Sequence, residues 1–101
     1  MTDDLGIAAF DAAEYLETET AQLSLLNDAI ASGHPAYLAN ALGAVARARS
    51  GMSGLARDTG IKRQTLTKSL SLKGNPTLET LVTVLGALGL RLEVVENHAE
   101  R

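Results

Sequence analysis

The chain has 101 residues, no cysteine, no tryptophan and a formal net charge of −3. That length supports one modest core, and the missing thiols exclude disulfides and thiolate metal sites. The longest apolar run, Leu81–Leu90, falls well short of the ~20 residues of a membrane span, and the acidic start lacks the basic n-region of a secretory leader, so a soluble cytoplasmic protein is expected.

Taken in chain order, residues 1–9 carry no strong periodicity. Asp11 with Glu14 three residues on makes a capping box, and Phe10 and Tyr15 are spaced as a hydrophobic staple, which predicts a short helix ending near Leu16. Thr18 is the next cap, ahead of Leu23, Leu26 and Ile30 at helical spacing, with Leu25 and Ala29 widening the stripe. Gly33 is placed to end that helix, and Pro35 suits the first turn of another. Leu38, Ala41, Leu42, Val45 and Ala46 then share a face up to Arg49, where Ser50-Gly51 breaks the run. Ser53 is expected to cap a short helix with Leu55, Ala56 and Thr59 inward. Gly60 is a turn, Ile61 a core plug, and a second helix is predicted over Lys62–Ser71. After the loop Lys73–Pro76, Thr77 caps a helix whose inward residues are expected to be Leu78, Leu81, Val82, Leu85 and Leu88, closed by Gly89. Leu90–Val94 alternates apolar and charged residues and reads as a strand. With no second strand in the chain, its backbone groups need a partner from another chain.

Charge is segregated along this order. Residues 47–73 hold seven basic residues (Arg47, Arg49, Arg57, Lys62, Arg63, Lys68 and Lys73) and one acid, Asp58, whereas residues 1–34 hold seven acids and no Lys or Arg. An acidic average ordinarily argues against nucleic-acid binding, but a local cationic patch steers a polyanion whatever the total. The cationic stretch coincides with a helix, a glycine turn and a second helix. Two helices crossing steeply need a small residue at their contact, here Ala56, and a glycine able to take φ > 0 in the turn, here Gly60. Ile61 and Leu66 make the apolar side of the second helix. Arg63, Gln64, Thr67 and Lys68 lie on its other face, and their types suit the major groove: Arg for guanine, Gln for adenine, Thr for a methyl or phosphate. Lys62 belongs with this group, and Ser53, Arg57 and Lys73 are candidate phosphate contacts. For Arg47 and Arg49, phosphate contact competes with the favourable field at a helix C-terminus.

The segments ALGAVARARSGMSGLARDTGI, RQTLTKSLS, GNPTLETL and ALGLRLEV, together with the acidic FDAAEYL start, carry a resemblance over residues 10–95. The helix-turn-helix resembles the lambda-repressor-like, Xre type, and the whole is similar to addiction-module antidotes of the HigA type. That resemblance implies an all-α, lambda-repressor-like helix-turn-helix bundle with an N-terminal helical extension and a C-terminal strand for dimer pairing. It implies an antitoxin that neutralises a basic RelE/HigB-like toxin, binds double-stranded operator DNA as a homodimer and represses its own operon. Three positions depart from the pattern: Lys62 stands where a Ser or Thr cap is common, Gly54 where a phosphate-contacting Gln is common, and Ser69 where a branched apolar residue is common and where a hydroxyl can bond back one turn.

The expected organisation follows: 1–34 as an acidic toxin-docking segment, 35–95 as the DNA-binding and dimerisation region, and 96–101 as a tail. Glu14, Leu16, Glu17, Glu19, Leu23 and Leu26 are the candidate toxin contacts, some of the leucines serving the core instead. Leu90, Leu92 and Val94 are the candidate dimer contacts, with addition to a toxin sheet as their competing use. His34 and His98 lack metal spacing, no nucleophile–base constellation or phosphate loop is present, and no catalytic residue, metal or cofactor is expected. A stand-alone Xre-type regulator is the alternative function; a protein-interaction module with a basic helix for an acidic partner is another.

Overall fold

A helix needs a start, a stop and one apolar face, and most of these are supplied locally here. The computed structural model of the chain describes residues 17–97, and these form five helices: α1 (Glu19–Ser32), α2 (Pro35–Arg49), α3 (Gly51–Thr59), α4 (Arg63–Ser69) and α5 (Leu78–Ala87). The helix expected before Glu17 lies outside the described residues, as does His98.

The caps at both ends of α1 and at the start of α5 are the expected ones. Thr18 Oγ1 accepts from the Ala21 N–H (3.1 Å), and Thr77 Oγ1 accepts from the Thr80 N–H (3.0 Å), each occupying a donor that the first helical turn leaves unpaired. Gly33 closes α1, its N–H donating to the Ile30 carbonyl (3.2 Å), and Pro35 opens α2. Two boundaries are corrected: α4 spans Arg63–Ser69 and stops two residues short of the expected Ser71, and the start of α3 moves. α3 begins at Gly51, with Ser50 as its cap, and Ser53 sits inside the helix. Gly51 takes φ 76°, and only Ser50 separates the two helices, so no connecting loop consumes residues 51–53.

α1 packs on α2, α2 on α3, and α3 on both α4 and α5. Leu42, Val45, Leu55, Leu66, Leu70 and Val84 are fully buried at the centre, and Leu26 and Ala29 bring α1 into the same core. Gly43 makes one close approach possible: a Cβ there would fall against the backbone carbonyl of Leu70, at the end of α4. That contact seats the last turn of α4 on the middle of α2.

Two expected faces are rotated. On α5, Leu78 and Val82 are 72% and 54% exposed, and the core side is Leu81, Val84, Leu85 and Leu88. The apolar arc of the helix is wide, with Glu79, Thr80 and Thr83 as its polar side, so its sequence leaves the exact angle open and packing on α3 selects it. On α1, Leu23 and Ile30 are largely exposed while Gln22 is only 5% exposed. The reason is an arginine. Arg49 donates from Nε to Gln22 Oε1 (2.6 Å) and from Nη1 to the Leu88 carbonyl oxygen, tying α1, α2 and the end of α5 together.

The strand expected at Leu90–Val94 is not formed in the single chain, and no strand occurs among the described residues. After the Leu90 N–H donates to the Leu85 carbonyl (2.8 Å), residues 91–96 make no backbone–backbone hydrogen bond to any described residue. A strand is defined by its ladder, and no other strand among the described residues is there to pair with this segment. No described helix is long and apolar enough to cross a membrane.

Candidate nucleic-acid interface

The turn between α3 and α4 is built from backbone geometry and one hydroxyl. Gly60 adopts φ 77°, a left-handed conformation that a Cβ penalises, and its N–H closes α3 on the Ala56 carbonyl (2.9 Å). Thr59 Oγ1 donates to the Leu55 carbonyl (2.8 Å) and accepts from the Ile61 N–H (3.1 Å). The threonine therefore holds both sides of the turn, and Ile61 packs against the core beyond it. Lys62 starts α4 without a side-chain cap, its carbonyl accepting from Leu66 N (3.0 Å). At the other end the hydroxyl back-bond comes from Ser71, to the Lys68 carbonyl (2.9 Å).

This seating decides which side of α4 faces water. Leu66 and Leu70, four residues apart, are sealed in the core. Arg63, Gln64, Thr65, Thr67 and Lys68 are exposed. No described acid pairs with Arg63 or Lys68, so the face is cationic and uncompensated. Ser53 and Lys73 are also exposed, and so is Arg57, whose Nε reaches Asp58 Oδ1 at 3.4 Å. An exposed pair of that length is worth ~0–1 kcal/mol and leaves the guanidinium available. A helix with Arg, Gln, Thr and Lys exposed on one side can enter a groove and donate to base edges and phosphates.

Arg47 and Arg49, equivalent in the sequence, have separate roles. Arg47 is exposed near the cationic face. Arg49 is committed to Gln22 and Leu88. Nothing in the sequence signals that tie, because its partners lie 27 and 39 residues away. Gly54 is buried against the side chain of Ser50, where an added Cβ would lie 3.0 Å from Ser50 Cβ, so the larger residue common at this position in similar motifs has little room.

Among the other expected site residues, Glu17, Glu19 and Leu23 are exposed along the start of α1, Leu26 is buried, and Glu14 and Leu16 lie outside the described residues. Leu90 is half-buried, Leu92 half-exposed and Val94 97% exposed.

Residues 6–96 match the profile of a family of probable addiction module antidote proteins. An uncharacterised protein of Haemophilus influenzae is 42% identical over 89 residues, covering 88% of this chain and 91% of that protein. No solved structure matches the chain.

Proposed function

Since the chain belongs to the family of probable addiction module antidote proteins, we propose that it neutralises a RelE/HigB-like toxin and represses its own operon by binding operator DNA through α4. The observation that carries the DNA half is the division of α4 into a sealed apolar side, Leu66 and Leu70, and an exposed side bearing Arg63, Gln64, Thr67 and Lys68. α3 and α4 act as an Xre-type helix-turn-helix of a HigA-type antidote, with α4 in the major groove. Gln64 and Arg63 read base edges, and Thr67 and Lys68 read or clamp. Ser53, Arg57, Lys62 and Lys73 hold phosphates around them and set the register without reading sequence. Two copies bind as a homodimer, each supplying one α4 to one half-site.

The toxin half is supported by the family and by charge. An antidote implies a toxin partner, and a basic toxin is drawn to the end of the molecule that has no Lys or Arg before residue 35. Glu17 and Glu19 supply exposed charge on the α1 side, and Leu23 and Ile30 supply exposed apolar anchors. Leu26 acts from the core behind them. Co-expression with the neighbouring reading frame is the test. Growth rescue and co-purification are expected from the intact protein and lost when Glu17, Glu19 and Leu23 are replaced together. Rescue that survives the triple replacement would move the toxin contact elsewhere.

A further inference from the structure

Beyond α5 the chain runs alongside α1 and leaves a trough between the two. Asn27 and Ile30 of α1 line it from end to end, facing Arg91 and Leu92 along its inner part and residues 93–97 along its outer part. The inner end is apolar, lined by Leu26, Leu81 and Leu85. The outer part holds about 650 Å³, within the ~300–1,000 Å³ range of clefts that bury a ligand of several rings or side chains. Its walls are unsatisfied in two ways. From Arg91 to Glu96 the backbone donors and acceptors make no bond to any backbone group of the described residues. Ile30, Val94 and Val95 leave large apolar surface exposed. Charge is ordered along the same line. Arg91 is the one cation among the described lining residues and belongs to the inner part, whereas Glu93 and Glu96 line the outer part and Asp28 is exposed beside Asn27. None of these four charged groups forms an ion pair with a described residue.

We propose that this trough seats an extended segment of the toxin, apolar where it enters the inner end and carrying Lys or Arg where it passes Glu93 and Glu96. The proposal rests on the antidote reading above and adds to it the place of contact and the chemistry of the segment. Charge selects the class of occupant. The outer acids repel a nucleic acid or an anionic lipid surface and draw a basic polypeptide. Arg91 fixes the direction of that polypeptide, because a basic residue seated at the inner end would meet a like charge. The backbone selects its conformation. An extended chain laid along residues 91–96 takes up donors and acceptors that no described backbone group occupies. Contact area comes from Ile30, Val94 and Val95, which the segment covers, and the acids at the rim add rate and specificity. The docking surface therefore has two walls, the later turns of α1 and the residues after α5, and Leu23 belongs to the first of them.

The test compares amide hydrogen exchange in the full-length protein, alone and in complex with the co-expressed product of the neighbouring reading frame. The amides of residues 92–96 are expected to exchange freely in the protein alone and to slow by about tenfold or more in the complex. Affinity for the same product then separates the trough from net charge. Glu93→Lys and Glu96→Lys should each weaken it about tenfold, whereas Glu79→Lys, the same charge change at an exposed position on α5 outside the trough, should leave it nearly unchanged. Ile30→Asp should weaken it at least as much as either tail variant. All four positions are exposed, so the variants should fold, and an unchanged thermal transition confirms that they do. Amides 92–96 that are already slow in the protein alone would give the trough to its own chain or to a second copy and overturn the proposal. A complex that leaves those amides fast, or equal losses at positions 79, 93 and 96, would overturn it too. In these last two outcomes the native protein still captures the product, so the antidote reading survives. Native protein that captures no such product refutes both together.

Discussion

Arg49 and Gln64 show how unlike two polar side chains of one small domain can be. Arg49 satisfies Gln22 inside the fold and holds the Leu88 carbonyl at the end of α5. Replacing it with methionine keeps the stem and removes both bonds, so a loss of about 2 kcal/mol is expected in urea unfolding. The same change at exposed Arg47 should stay within about 0.5 kcal/mol. A smaller effect at 49 than at 47 would contradict the tie. Gln64 points the other way, into solvent. Gln64→Ala should leave stability alone and lose about 1–3 kcal/mol of discrimination at one base pair. Equal weakening on operator and random duplex would show that Gln64 only positions the protein. The exposure of Gln64 was legible because Ile61 and Leu66 mark the apolar side of the helix. The burial of Gln22 was not, because it depends on a guanidinium reached only after α1 and α2 fold back on each other.

At the level of elements, two glycines inside helices separate packing from propensity. Gly43 on α2 faces the end of α4, and a Cβ there would collide with the Leu70 carbonyl, whereas around Gly86 on α5 nothing lies within 4 Å. Gly43→Ala is expected to destabilise by about 1–3 kcal/mol through overpacking. Gly86→Ala should stabilise by about 0.5–1 kcal/mol, the ordinary helix-propensity difference. Thermal unfolding of both variants reads the sign directly, and the same sign at both positions would contradict the packing described. Caps and stops were legible because they are local: Thr18, Gly33, Pro35, Gly60 and Thr77 each act within a few residues. Helix rotation was not. The apolar arc of α5 is wider than the surface it packs on, so exposure of Leu78 and Val82 follows from where α3 lies. The missing ladder at Leu90–Val94 has a different cause, since alternation specifies a strand but cannot supply its partner.

Across the whole molecule, the dominant pattern is charge that is separated. Of the cationic residues from 47 to 73, Arg57, Lys62, Arg63, Lys68 and Lys73 lie on α3, α4 and the segments flanking them, and Arg47 and Arg49 end α2, while α1 carries acids alone. This was visible in the sequence before any fold was known, and packing turns it into a cationic surface by burying the apolar sides of α3 and α4. Binding to a duplex through such a surface releases counterions, so the affinity should fall steeply with salt, by a slope of about −0.9 for each phosphate engaged. Lys68→Ala should make that slope shallower by about 1, and an unchanged slope would remove Lys68 from the phosphate contacts. Operator recognition by α4 is read out by fluorescence anisotropy on the intergenic duplex upstream of the gene, with a scrambled duplex of the same length alongside. Saturable binding that favours the native duplex over the scrambled one and weakens as salt rises is expected. No binding to the native duplex even in dilute buffer, or equal affinity for both duplexes, would contradict it.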